Sequence, residues 1–110
     1  MKLPTGDVAI IEIAKIRDYC LSVTHPIGKH KARVFSSVLG MTAAHVEELL
    51  AALATAARDE NADTGVADEY GTRYIIDFEL KYGERSADIR SCWIIRTGES
   101  VPRFVTCFIL

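Results

Sequence analysis

The 110-residue sequence has little of what most directly signals a function. Cysteine is scarce: Cys20, Cys92 and Cys107 are its only representatives, and none forms a Cys-x-x-Cys pair. An odd, widely spaced set excludes a disulfide framework and a zinc site. Each cysteine lies in an apolar stretch, where this residue behaves as a small buried hydrophobe. Such usage fits a reducing compartment, so a cytoplasmic location is expected. No apolar run approaches the length of a membrane span, and no membrane association is expected. The opening MKLPTGDVAI lacks the long apolar segment of a signal peptide. There is no Gly-x-Ser-x-Gly elbow, no His-Glu-x-x-His, no dense carboxylate cluster and no Gly-x-Gly-x-x-Gly. These absences set aside hydrolase-elbow, metal and dinucleotide chemistry. His30 and His45 have no third ligand in view, and neither metal nor cofactor is expected. Repeats and low-complexity segments are absent. Positive charge is not in excess either. The formal net charge of -2 predicts no bulk attraction to nucleic acid.

What is present describes a globular chain. The hydrophobic fraction is 49% and the charged fraction 25%, ordinary values for a folded domain. A chain of this size buries roughly two-thirds of its unfolded surface, enough for a core without staples. One domain spanning 1–110 is expected. Ile13, Ile16, Arg17, Cys20 and Leu21 show helical spacing and predict a first helix over 13–21. Pro26 and Gly28 interrupt it. A second helix is expected over 30–39, with Gly40 as its stop. A third is expected over 43–58, capped by Thr42, with Val46, Leu49, Leu50, Leu53 and Ala57 as its buried stripe. The acidic stretch 59–70 reads as a surface loop. The apolar period then changes from 3.6 to 2. Strands are expected over 74–81, 86–97 and 103–110, joined by turns at Gly83 and Gly98, and a short strand over Val8–Ile11 is possible. The expected fold is α+β: about three N-terminal helices packed on a C-terminal antiparallel meander of three to four strands.

Charge is uneven along the chain. Lys29, His30, Lys31 and Arg33 follow His25-Pro26-Ile27-Gly28 with no acid among them. Two imidazoles, two ammonium groups and a guanidinium at a helix start suit an anion such as phosphate. A histidine there suits proton transfer. The same residues suit a solvated capping loop. A second set lies on the expected sheet. If Ile89, Trp93 and Ile95 face the helices, Arg90, Cys92, Ile94 and Arg96 face outward; the opposite assignment is also compatible with the pattern. On an ideal last strand, Arg103 and Thr106 fall on opposite faces. Arginines on an open sheet suit phosphodiester binding and charge stabilisation. They equally suit cross-strand pairing, such as Arg90 with Asp77 or Asp88. Trp93 suits a core anchor or a base-stacking platform.

The order Tyr19-Cys20-Leu21, His25-Pro26, Gly28, Lys31-Ala32-Arg33-Val34-Phe35, Leu39-Gly40, then Trp93, Pro102 and Thr106, resembles a bacterial domain family of unknown function. The match runs over nearly the whole chain. Related segments close large polymorphic toxins, and stand-alone copies sit beside a small partner protein. The layout of helices before a meander also resembles the barnase–EndoU–colicin–RelE nuclease fold. That resemblance implies a toxin-like, metal-independent ribonuclease with RNA and a small antitoxin or immunity protein as partners. Carried over, it implies His25, Lys31, Arg96 and Thr106 as catalytic residues. Lys29, His30, Arg33, Trp93 and Arg103 are then expected to bind phosphate or RNA. His30 departs from the broader motif, and Arg96 rests on position and chemistry alone. The alternatives are a non-enzymatic immunity or adaptor module, for which the acidic 58–69 stretch speaks, and an anion-binding domain without turnover.

Overall fold

The computed structural model describes residues 1–110. Its architecture is α+β, with helices in the N-terminal half and an antiparallel sheet in the C-terminal half. A 3-10 turn at Gly6–Val8 opens the chain. A single turn of α-helix follows, Ile13–Lys15 (α1), and widens into a π-turn over Ile16–Cys20. The expected first helix therefore exists but is not uniform. Leu21 N–H reaches back five residues to the Ile16 carbonyl at 2.9 Å, and such wide turns re-aim the side chains they carry.

Helix α2 spans Lys29–Leu39 and α3 spans Val46–Asp59. Gly40 ends α2 in the left-handed region, with φ 69°, where a residue without Cβ is unstrained. A 3-10 turn at Ala43–His45 introduces α3. There Thr42 Oγ1 accepts from Ala44 N–H, and His45 Nδ1 accepts from Thr42 N–H at 3.0 Å. This reciprocal cap satisfies backbone donors that a helix start leaves unpaired. Val46, Leu49, Leu53, Ala56 and Ala57 form the buried stripe of α3.

Four strands follow: Asp63–Asp68 (β1), Gly71–Tyr82 (β2), Arg85–Arg96 (β3) and Arg103–Ile109 (β4). They pair in chain order as a meander. Ile76, Phe78 and Leu80 of β2, Ile89, Ser91 and Trp93 of β3, and Phe104 and Cys107 of β4 are buried under the helices. Arg90, Cys92 and Ile94 therefore face outward, which decides between the two face assignments the sequence leaves open. Ser91 is the one polar residue buried in this layer. It donates to the Ile76 carbonyl and accepts from the Trp93 indole N–H, both at 2.9 Å, so no polar atom is stranded.

Two features depart from expectation. The stretch read as loop contains β1, an edge strand exposed at all six positions. With neither face covered, it has no apolar alternation to betray it. In β4, the register passes from Trp93 opposite Phe104 to Cys92 opposite Thr106. Val105 is thus an extra, unpaired residue, a β-bulge. The bulge places Arg103 opposite Ile94 and Thr106 opposite Cys92. Both are in register with outward-facing residues, rather than on opposite faces as an ideal strand would have them. The expected strand near Val8–Ile11 is reduced to one parallel bridge, Ile10 with Arg103, which covers the start of the free β4 edge. No single helix is long and apolar enough to cross a membrane.

Candidate functional site

The irregular turn and the bulge meet at one place. The π-turn presents Tyr19 and Cys20 to the β4 edge, and the bulge turns Thr106 toward them. Lys31 reaches the same point from α2. Its Nζ donates to Thr106 Oγ1 at 3.1 Å and to Tyr19 Oη at 3.4 Å. The ammonium also lies 4.9 Å from the Tyr19 ring centre and 5.5 Å from that of Phe108. Two aromatic faces and two hydroxyls stabilise the cation without neutralising it. No carboxylate comes within ion-pair distance of Lys31. By contrast, Arg17, Arg58, Arg73, Arg90 and Arg103 each hold an acid within 3.0 Å. The pairing of Arg90 is with Asp77, its cross-strand neighbour.

His25 closes the site on one side. The loop it heads is drawn against the π-turn at Gly28, where a Cβ would collide with the Tyr19 carbonyl. His25 Nδ1 accepts from Ile27 N–H at 3.0 Å and from Gly28 N–H at 2.9 Å. Its carbonyl accepts from Lys29 N–H. The imidazole caps the approach to α2, as a side-chain carbonyl does at an N-cap. The ring stands edge-on to Tyr19, with centroids 4.7 Å apart. Because Nδ1 is an acceptor, the proton of the neutral ring resides on Nε2, and Nε2–H is a donor. His25, Tyr19 and Thr106 share a cleft of ≈ 520 Å³ with Ala14, Lys15, Asp18 and Val105. Lys15 lines it and donates to the Phe104 carbonyl at 3.1 Å. Asp18 is engaged: Arg17 forks onto it at 2.8 and 2.9 Å and holds its carboxyl below the usual carboxylate range.

Two of the cysteines, Cys20 and Cys107, are buried in the core beside this site. Cys20 Sγ lies 3.7 Å from Thr106 Oγ1. The hydrogen bond it shares with the Cys107 thiol, helped by the Cys107 backbone N–H, Thr106 and the Lys31 charge, outweighs burial and brings its pKa down to about 6. The same hydrogen bond, together with burial, pushes the Cys107 thiol well up. Burial also raises Cys92.

The nine expected site residues divide as follows. His25, Lys31 and Thr106 come together around Tyr19. Arg96 does not join them. It ends β3 opposite Gly71, four residues beyond Cys92, the residue that faces Thr106. Four residues of strand are roughly 13 Å. The basic run of α2 is divided by helical geometry. Ala32, Phe35 and Leu39 form the buried stripe, and Lys31 borders it on one side while Lys29 and Arg33 lie about 160–200° away around the helix axis. His30 lines a second hollow with Lys31, Val34, Phe108 and Ile109. Arg103 is held by Glu99 at 3.0 Å and Glu12 at 4.0 Å. Trp93 corrects the expectation of an RNA contact. It is wholly buried against Phe104 with its N–H bound to Ser91, so no base can stack on it. Tyr19 and Cys20 stand in the family motif but, like Lys15, carry no signal of a site role in the sequence, because apolar spacing marks only which residues of the first helix are buried.

A layer of three helices on an antiparallel meander, with Lys31 at the seam and no carboxylate paired to it, makes up the α+β domain. The chain belongs to a family described as "Domain of unknown function (DUF6883)", whose model matches residues 2–110. No curated protein matches it in sequence. Among solved structures it is similar in fold to a chain of a contact-dependent growth inhibition toxin–immunity protein complex from Klebsiella pneumoniae 342. That similarity has a TM-score of 0.66, 16% identity and 96% coverage of each chain.

Proposed function

We propose that this chain is a module of a bacterial toxin system that binds a phosphodiester where Lys31, Thr106 and His25 gather around Tyr19, and that it cleaves RNA without a metal ion. The observation that carries this reading is Lys31: a half-buried ammonium held by hydroxyls and rings, with no carboxylate to satisfy it. A phosphate oxygen is the natural complement. In this reading Lys31 stabilises negative charge as it grows on the phosphorane. Thr106 fixes the ammonium, and His25 Nε2–H donates to a second phosphate oxygen. Arg96 has no part. The likeness in fold to a chain of a toxin–immunity complex supports a toxin system and a small protein partner. The test is incubation of the purified, folded chain with total RNA in EDTA, alongside its induced expression in bacteria. Cleavage and growth arrest, both lost in Lys31→Met, are expected; intact RNA and undisturbed growth would sink the proposal.

A specific observation favours a second reading, anion binding without turnover. With Nδ1 engaged by two backbone donors, His25 offers no free basic nitrogen. Asp18 is tied to Arg17. Calorimetry with nucleotides separates the two: saturable binding that needs Lys31, with no cleavage product, establishes the second reading.

A further inference from the structure

Lys31 stands between two hollows. On one side is the cleft that holds Tyr19, His25 and Thr106, and the ammonium donates to the Thr106 hydroxyl at 3.1 Å. On the other is a smaller hollow of ≈ 330 Å³, lined by His30, Lys31, Val34, Phe108 and Ile109. There the same ammonium lies 5.5 Å from the centre of the Phe108 ring. A phosphate on the Thr106 side leaves the second hollow without a role. Thr106 and Phe108 are two residues apart on β4, so roughly 7 Å of strand separates the residues that mark the two hollows.

The lining of the second hollow selects an occupant. Phe108 and Ile109 are only half-buried at the β4 edge, and Val34 keeps 40% of its surface exposed on α2. An aromatic ring between aliphatic walls favours a flat, apolar group. His30 adds an imidazole that can donate or accept a hydrogen bond, and Lys31 adds a positive charge. The volume is near the lower end for ligand cavities, which suits a single ring system rather than a larger molecule. A nucleobase has this character, with two π-faces and a hydrogen-bonding edge. It is also tied covalently to a phosphate, and the span from a phosphate to its own base is comparable with the step from Thr106 to Phe108.

We propose that the hollow of His30, Val34 and Phe108 is a base-binding subsite, in which one base of an RNA strand rests against Phe108 while its phosphate meets Lys31 on the Thr106 side. This subsite rests on the phosphodiester reading of Lys31 and gives that reading its class of substrate. A base enters the hollow only after leaving its own helical stack, so the substrate is single-stranded RNA. Stacking on one aromatic ring tolerates every base, whereas the His30 imidazole can favour one hydrogen-bonding edge over another. Phe108 thus takes the part that the buried Trp93 cannot.

The experiment is titration of the native chain with adenosine 5′-monophosphate and, separately, with ribose 5-phosphate, which carries the sugar and phosphate but no base. Calorimetry gives the affinities, and proton NMR follows the Phe108 ring and the Val34 methyl groups. The nucleotide should bind about 10-fold more tightly than the sugar phosphate. Ring-current shifts at Phe108 and Val34 should accompany the nucleotide alone. Phe108→Ala should bring the two affinities together, Phe108→Trp should keep them apart, and Lys31→Met should weaken both ligands. Equal affinities in the wild-type chain, or nucleotide-induced shifts confined to Tyr19 and His25, would overturn the subsite. The wild-type shifts decide the matter even if Phe108→Ala fails to fold. Equal binding of the two ligands sinks the base subsite and leaves the phosphate site standing, whereas no binding of either sinks both. No cleavage is read, so failure of the ribonuclease reading is distinguishable from failure of the subsite.

Discussion

Lys31 Nζ donates to Thr106 Oγ1 across 3.1 Å, joining α2 to β4 over 75 residues of chain. If this contact positions the ammonium for phosphate, the two side chains act as a unit. Lys31→Met and Thr106→Val should each lower RNA cleavage by about 100-fold. The double variant should be little worse than either, a non-additivity expected of groups that share one task. Stability should change by no more than about 1 kcal/mol, since the hydrogen bond is only part-buried. Kinetics on all four proteins supply the check, and a fully active Thr106→Val variant would contradict it.

His25 has two separable duties. Its Nδ1 caps the loop, and its ring lines the cleft, where the proposed function gives Nε2–H a donor role. Asparagine offers an equivalent acceptor but no distal N–H. His25→Asn should therefore retain most of the stability that His25→Ala loses, about 1–2 kcal/mol. Both variants should lose cleavage alike. Nitrogen NMR of the neutral wild-type ring should show its proton on Nε2 and a bare Nδ1. A bare Nε2 would refute the assignment of donor role.

The cysteine pair predicts an unusual dependence of stability on pH. Cys20 has a folded pKa of about 6, below the value of 9.0 for a free thiol. Between these values the unfolded chain binds more protons than the folded one, so stability should increase as pH rises from 6 toward 9. The gain is lost as pH falls through 6. Cys107 is shifted the opposite way, well above 9.0. Above pH 9 it ionises only in the unfolded chain, and stability should fall again. The slope attributable to Cys20 cannot exceed about 1.4 kcal/mol per pH unit. Urea titrations at a series of pH values test this. Cys20→Ser should flatten the rise, and an equally steep rise in that variant would rule the thiolate out.

Trp93 and Arg96 serve as negative controls. The emission of Trp93, the only tryptophan, should be blue-shifted, slow to quench with acrylamide and unmoved by RNA. Trp93→Ala should cost about 3–5 kcal/mol through the cavity it leaves. Arg96→Ala should change neither stability nor cleavage appreciably. A loss of cleavage in Arg96→Ala would bring the far end of β3 back into the site.

The elements with a covered face were legible in the sequence. The stripe Val46, Leu49 and Leu53 fixes α3, and the alternation Ile76, Phe78 and Leu80 fixes the inward face of β2. Strand β1 was not legible, because nothing covers either face of Asp63–Asp68. Half of the site was readable as well. His25, Lys31 and Thr106 stood out by chemistry and motif. Tyr19 stood in the same motif, but the π-turn that aims it leaves no mark on apolar spacing. The division of Lys31 from Lys29 and Arg33 was available all along, since residues two apart on a helix point in nearly opposite directions. The distance of Arg96 from this group was not legible, because an ideal strand carries no information about which pair of outward residues a bulge will single out.

The extra residue in β4 sets a rule for changes of chain length. Val105 has no partner of its own, and its neighbours Phe104 and Thr106 already oppose adjacent residues of β3. Removing Val105 leaves each neighbour facing the residue it faces now and abolishes only the local kink. Adding or removing a residue elsewhere in the strand would instead send Cys107 outward and Thr106 into the core. Val105 is thus a shim: its side chain, 39% exposed, borders the cleft, while its backbone sets the tilt of the threonine next to it. A chain lacking only Val105 would keep every group of the site and lose their aim.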